Sequence, residues 1–515
     1  MKRATCIASV VLLTTWALSS SLAAAAQPSD TIVRAMTDEL ARNLSNLEME
    51  GFARPYFVSY TVDDIQKLTI KASLGTVTKS KLERSRYVTV DLRVGERALD
   101  NTNFFPAYSI VGPDYTHIAL DNDYDAIRNA IYLLTDKAYK DALKVLSSKE
   151  AYLQNRVIRD RPADLVEEHP HRFSGHPEDF DIVQSDFEDL ARRASEVFKD
   201  YPMIAFSQLG LTATITNQYF VSSSGTSAVR GDRVYSITIA MNGRGADGED
   251  VFSDGAITVS KPEDLPRADS LVRWVRTNAD EMTAGIAAEK GEEYSGPVIF
   301  VGDAAGEFFE ELFAKNISGI PAPLFEKEDM ERFYSTPRLE ERIGRRVLPS
   351  FIDVYDDPSL DHYGGADLIG AYEIDDAGQR PEKIQIVKDG KLIDLPIGTA
   401  PTRKISEPNG HARGAVGRMV KGRPSNLFIE SSEAVSLDEM KKEMLDICRD
   451  YGLEYGLIIE KLGDQNAPYE GRPFFHGGPP GEAALSDPVR AYKVFPDGRE
   501  EPVRNLEFAN VTLRV

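Results

Sequence analysis

Cysteine is nearly absent from this 515-residue chain, which has only Cys6 and Cys448. Cys6 falls in the leader described below, so a single thiol remains and no internal disulfide can form. The fold must then be held by apolar cores, and 42% hydrophobic residues suffice to build them. Positive charge is also scarce. Lys and Arg number 60 against 82 Asp and Glu, a formal net charge of −22. A surface that acidic disfavours nucleic acid and anionic lipid as partners. Beyond the leader no apolar run approaches the ~20 residues that span a bilayer, so no membrane span is expected. Neither G-x-S-x-G nor G-x-x-x-x-G-K-[ST] occurs, and there is no internal repeat.

What is present begins with the leader. Lys2 and Arg3 precede an apolar stretch whose strongest part, Ile7 to Leu18, is too short for a membrane anchor. Ala24 and Ala26 then offer the small residues of an A-x-A cleavage site before Gln27. Residues 1–26 are expected to be a cleaved secretory signal, and the mature protein to be exported, periplasmic or secreted. The remaining length predicts two to four domains, and the change from an α+β to a β-rich pattern divides it into an N-terminal domain over 27–290 and a C-terminal one over 291–515.

Hydrophobic spacing predicts the fold class α+β. Ile32, Met36, Leu40, Leu44 and Leu47 mark a first helix. Three strands follow, Tyr56–Thr61, Leu68–Lys79 with a bend at Gly75, and Tyr87–Val94. The last alternates Val88, Val90, Leu92 and Val94 with polar residues, the mark of a largely antiparallel sheet with one wet face. Tyr124–Gln154 reads as one long helix capped by Asp123, and a second helix covers about Ser185–Lys199. Strands return at Ile204–Thr216, Gln218–Ser222 and Arg233–Met241, and a helix over about Pro262–Lys290 closes this half. The second half reads as β-rich: strands at Val298–Val301, Phe351–Tyr355, Leu368–Ile374, Lys383–Lys388 and Lys391–Leu395, with hairpin turns at Asp389-Gly390 and Asp497-Gly498. It carries two helices, Ala305–Asn316 and Ser436–Tyr451, the latter with a Ser436/Glu439 capping box. Residues 464–489, rich in Gly and Pro, read as a loop.

Several generic signals carry little. Gly243–Gly248 matches G-x-G-x-x-G, but strand follows it rather than helix, so it reads as an acidic hairpin turn, with a calcium site on Asp247, Glu249 and Asp250 as the lesser alternative. His169, His171 and His176 have no structural-zinc spacing. Cys448 shares an apolar helical face with Met440, Met444, Ile447 and Tyr451 and reads as a core thiol.

The stretch Gly296–Gly319 says more. With its strand, its Gly306-x-Phe308-Phe309 lead-in and its helix, it resembles the TldD/PmbA family of metalloprotease-related proteins. Arg345–Pro358, Gly370–Gly378, Ile386–Leu392, Asn409–Gly414 and Pro424–Ile429 resemble later segments of that family in order, and Gly225-Thr226 resembles its N-terminal domain. The likeness spans about residues 30 to 515. Zinc-bearing members carry H-E-x-x-x-H on this helix. Here the motif falls on Glu310, Glu311 and Lys315, giving E-E-x-x-x-K, in which Glu311 is the surviving catalytic remnant. Lys315 offers an ammonium where zinc needs a neutral imidazole, and Glu311–Lys315 has the i,i+4 spacing of a helix ion pair. The family's further Cys ligand near the C-terminus has no match before Val515, and the leader departs from relatives that are cytoplasmic in general.

The resemblance implies a two-domain, peptidase-derived scaffold without its zinc, close to the zinc-less member that pairs with a zinc-bearing subunit and helps bind an extended peptide. The expected partners are a peptide or unfolded polypeptide and a TldD/PmbA-type subunit in a homo- or heterodimer, and no cofactor is expected. Asn409, His411 and Arg413 are the candidate polar residues of a groove. An active metallopeptidase with its metal held elsewhere, for example by His411 or His476, is the alternative, and a carboxylate hydrolase on Glu310, Glu311 and Asp303 is a third possibility. N-terminal sequencing of exported protein should find Gln27 first; an intact Met1 on exported soluble material would refute the leader.

Overall fold

The computed structural model describes residues 28–107, 112–156, 158–167, 169–333, 339–464, 485–509 and 511; the leader, Gln27, His476 and most of the 464–489 loop lie outside them. Among these residues the first half is organised on an eight-stranded sheet. Four long antiparallel strands form its centre in the spatial order Thr76–Glu96, Pro55–Ser73, Ile204–Ser222, Ser227–Arg244, and Asp250–Val259 pairs with the last of them.

Period-two alternation decides which face is apolar. On Pro55–Ser73 the residues Val58, Tyr60, Val62, Leu68, Ile70 and Ala72 are buried, and their neighbours in register on the adjoining strands are apolar too. Two cores lie on this one face. Helices Pro28–Asn46 and Tyr124–Gln154 cover one end of it, and Gln184–Glu196 with Ala268–Ala287 covers the other. Asp123 caps the long helix as expected, accepting from the Ala126 N–H at 2.7 Å. The helix expected over Pro262–Lys290 is shorter, because Pro262–Asp264 forms only a single 3-10 turn and Pro266 interrupts it.

The expected strand Leu68–Lys79 is two strands. The chain reverses at Leu74-Gly75, which joins Pro55–Ser73 to Thr76–Glu96 with both residues at positive φ, 49° and 75°. A primed two-residue turn of this kind is normally signalled by Asn-Gly or Asp-Gly; Leu at its first position hid it. Ile204–Thr216 and Gln218–Ser222 are, conversely, one uninterrupted strand.

Among the described residues the second half is built on two larger sheets. In one, Glu289–Lys290, Glu500–Arg504, Pro488–Val494, Gly456–Leu462 and Val298–Phe300 lie side by side. Helix Leu437–Tyr451 covers one face of this sheet through Met444 and Cys448, and helix Asp303–Leu312 covers the other through Ala304, Phe308 and Leu312. The capping box at Ser436 and Glu439 is present. Cys448 is a buried free thiol, but its face is narrower than the spacing predicts, since Met440, Ile447 and Tyr451 are exposed. The second sheet orders Lys391–Leu392, Ile384–Lys388, Ile352–Asp356 and Leu427–Ser431, with Phe309, Phe313 and Ile317 packed against it. Helix Asp303–Leu312 is therefore wedged between two sheets.

The expected strand Leu368–Ile374 does not form. Only Ala366–Asp367 pairs, with His362–Tyr363, and the chain then loops onto the open face of the first-half sheet. Ile374 packs there with Phe220, Ala228 and Phe173. Gly378 follows at φ +77°, and a Cβ on it would meet Thr226 at 2.4 Å, so no other residue fits. Leu324–Phe325 adds a parallel pairing with Phe104–Phe105, whose outer ring stacks on Phe325 at 5.1 Å.

Left-handed backbone costs a non-glycine residue roughly 1–2 kcal/mol, and Asn tolerates it better than Leu. Leu74 is half exposed, so Leu74→Asn should raise the stability of the first half by about 0.5–1 kcal/mol, read as a higher urea midpoint at constant m-value.

Candidate functional site

Helix Asp303–Leu312 is where the E-E-x-x-x-K residues meet their surroundings. It begins after Gly302, at φ +56°, and ends at Leu312; Ala314–Asn316 continues as a 3-10 turn. This is shorter than the expected Ala305–Asn316. The shortening separates Lys315 from Glu311, because the i,i+4 neighbourhood exists only while the α-helix continues. Lys315 is exposed, and no ion pair joins it to Glu311. The expected pair is corrected accordingly.

Glu311 has a different partner. Its carboxylate is buried and accepts two hydrogen bonds from Ser486, the N–H at 2.7 Å and the Oγ–H at 2.6 Å. Ser486 lies two residues before strand Pro488–Val494, with Leu485 packed in the adjoining core. Nothing in the sequence signals this contact, since the two residues are 175 positions apart. Glu310 points to solvent.

One turn earlier on the helix, Glu307 pairs with buried Lys461 and also accepts the Leu462 N–H at 2.7 Å. Asp254 of the first-half sheet lies 4.0 Å from the same ammonium, and Asp303 lies 3.9 Å from it. Burial works against the charge on Lys461, but the three carboxylates outweigh it and hold the lysine above its ordinary value. These groups join the helix to the first half, and spacing alone could not bring them together.

The Asn409, His411 and Arg413 positions divide. Asn409 and His411 are buried. The Asn409 amide accepts from the Ile397 N–H at 2.9 Å and donates to the Leu395 carbonyl at 2.9 Å. His411 Nδ1 faces two acceptors, the Asn409 carbonyl at 2.9 Å and its Oδ1 at 3.0 Å, so Nδ1 carries a proton. Its Nε2 lies 2.9 Å from Asp356 Oδ2, which also accepts from the Ser425 N–H and O–H. Both residues are spent inside the fold and line no surface groove in this arrangement. Arg413 does reach the junction of the two halves, lying over the Tyr372 ring at 4.5 Å with Asp376 at 3.5 Å. Arg230 of the first-half sheet also pairs with Asp376 and donates to the Ile374 carbonyl at 2.7 Å. Beside it, burial pushes the Asp63 carboxyl up to about 6, with Gln218 donating to it.

The Gly243–Gly248 match is a hairpin turn between Ser227–Arg244 and Asp250–Val259, as its context predicts. Its acids are drawn into ion pairs, Asp247 with Arg504 at 2.6 Å and Glu249 with Lys290 at 2.5 Å.

The sequence of residues 292–472 matches the PmbA/TldA metallopeptidase C-terminal domain. Residues 292–472 belong to the TldD/PmbA family as its C-terminal domain. A Methanothermobacter thermautotrophicus protein named a metalloprotease is 28% identical over 107 residues, 21% of this chain; the match spans only 22% of that relative's length. Among solved structures, a candidate modulator of DNA gyrase from Thermotoga maritima superposes with a TM-score of 0.57 at 14% identity, covering 91% of this chain and 90% of that one. TldE from Thermococcus kodakarensis gives 0.57 at 13% identity with the same coverage, 91% and 90%. Likeness at that identity establishes the shared fold.

Zinc in this family calls for nitrogen, thiolate or carboxylate donors converging on one point. The motif positions offer an exposed carboxylate, a carboxylate already bonded twice to Ser486, and an ammonium turned to solvent. That donor set does not fit the ion. Among the described residues no three His, Cys, Asp or Glu side chains gather elsewhere as a metal-holding group.

Removing a donor from a buried charged acceptor costs about 1–3 kcal/mol, whereas exposed substitutions stay within about 0.5 kcal/mol. Ser486→Ala should therefore destabilise the second half by about 1–3 kcal/mol in chemical denaturation, and Lys315→Met by less than about 0.5 kcal/mol. The reverse ranking would restore Lys315 as the partner of Glu311.

Proposed function

We propose that this TldD/PmbA-family protein works outside the cytoplasm as a zinc-free, non-catalytic binder of peptide or unfolded polypeptide, on its own or as a subunit beside a zinc-bearing TldD/PmbA-type partner. The observation that carries the reading is the state of Glu311. In a zinc peptidase a glutamate at this position would have to face a water and take its proton. Here both oxygens are turned away from solvent and held by the N–H and O–H of Ser486. The alternative of a metal on His411 loses its support, because both ring nitrogens already have internal partners. Export rests on the leader, and the polypeptide class of ligand rests on the metallopeptidase relationship of residues 292–472. An extended peptide can be held by main-chain hydrogen bonds and side-chain pockets without a metal or a general base.

Metal analysis with a matched mutant tests this. Mature protein purified without added metal should hold far less than one zinc per chain, and Glu311→Gln should leave binding of unfolded peptide within several-fold of wild type. Chelator-sensitive peptide hydrolysis by this chain alone, abolished in Glu311→Gln, would overturn the reading.

A further inference from the structure

The seam between the two halves holds more acid than base. Across the open face of the first-half sheet one row reads Tyr87, Asp63, Gln218 and Arg230, in register on four neighbouring strands. Asp232 lies two residues beyond Arg230 on the same face. The second half sets two segments against this row. The loop over residues 372–379 brings Tyr372, Asp375 and Asp376, and strand Ala412–Arg413 brings Arg413. Arg230 and Arg413 thus meet Asp63, Asp232, Asp375 and Asp376.

The bases are already committed. Arg230 pairs with Asp376, lies 3.3 Å from Asp232 and donates to the Ile374 carbonyl at 2.7 Å. Arg413 lies 3.5 Å from Asp376 and over the Tyr372 ring. Asp376 also accepts from the Gly414 N–H at 2.6 Å. Asp375 is satisfied within its own half, where it accepts from the N–H groups of Ala377 at 3.0 Å, Gln379 at 2.8 Å and Ala412 at 3.0 Å. Asp63 is 6% exposed, and the donor it has is neutral, the Gln218 amide at 2.9 Å. Tyr87, its neighbour on the other side, packs on the His117 ring at 4.3 Å. A buried carboxylate with no cation of its own is costly to ionise. Burial pushes the Asp63 carboxyl up to about 6, and Asp376 adds to the rise. Burial pushes Asp375 up as well, to about 7.

We infer that the seam is an acid-tightened clasp, in which protonated Asp63 lets the 372–379 loop sit firmly on the sheet and release of that proton to solvent loosens it. With its proton on, Asp63 is neutral, and Arg230 answers only Asp376 and Asp232. Once Asp63 ionises, a further carboxylate competes for Arg230 and repels Asp376, the group that tethers the loop. The sign follows from linkage. A carboxyl that docking raises favours the docked state below its raised value and loses that contribution as pH rises through it. Docking is therefore firmest in mild acid and weakens through about pH 6, with Asp375 acting in the same sense. The clasp concerns how the halves hold each other, so it stands or falls separately from the peptide-binding reading.

Hydrogen exchange of the backbone amides of residues 374–379, corrected for the intrinsic rate at each pH, tests this on the mature protein. Wild-type protection of the loop should fall about tenfold between about pH 5 and about pH 8 through Asp63 alone. Asp63→Asn keeps the size of the side chain and the acceptor for Gln218 but cannot ionise, and it should shrink that fall by about tenfold. Equal wild-type protection at the two pH values, or greater protection at the higher one, overturns the inference without any variant. A fall in Asp63→Asn as large as that of wild type overturns it too.

Discussion

Four helices cover one face of the long first-half sheet, so the other face must find its cover in the second half. That face carries Phe220 and Ala228 together with Asp63, Arg230 and Asp254, groups that neither solvent nor an apolar layer suits by itself. The second half answers with matching parts: Ile374 for the apolar patch, Asp376 for Arg230, and Lys461 for Asp254. Buried ion pairs of this kind add little net stability, yet breaking one strands a charge at a cost of about 3–5 kcal/mol. They therefore act mainly to specify one docking geometry.

The same constraint explains how the Asp303–Leu312 helix is held. Its apolar residues face two directions at once. Ala304, Phe308 and Leu312 pack on the five-stranded sheet, while Phe309 and the following Phe313 pack on the four-stranded one. The polar positions are then free to change their chemistry. Glu307 joins the Lys461 cluster, Glu311 fastens Ser486, and Lys315 leaves the helix for solvent. Two carboxylates on a short helix thus serve as struts between segments far apart in the chain.

Much of the architecture was readable because it depends on local pattern. The alternation in Val88–Val94 marked a sheet with one dry face, the spacing along Tyr124–Gln154 marked the long helix to its ends, and Ser436 with Glu439 marked a start that the structure reproduces. Legibility failed where local preference was overridden. Leu74 adopts a left-handed turn that its type disfavours, and Leu368–Ile374, strand-like in composition, becomes a docking loop because the first-half sheet offers Ile374 a better burial than a neighbouring strand would.

The sequence by itself determined the α+β class, most helices, the hairpin turns at Asp389-Gly390 and Asp497-Gly498, and the family of the segment 292–472, because each rests on short-range spacing or an ordered series of motifs. It placed Glu310, Glu311 and Lys315 on one helix but could not say which of them faced what. Only the tertiary structure decided that Glu311 belongs to Ser486 and that His411 is enclosed with Asp356. These pairings join residues tens to hundreds of positions apart. Their partners are selected by which faces the sheets leave uncovered once the cores have formed, a quantity with no counterpart in local pattern.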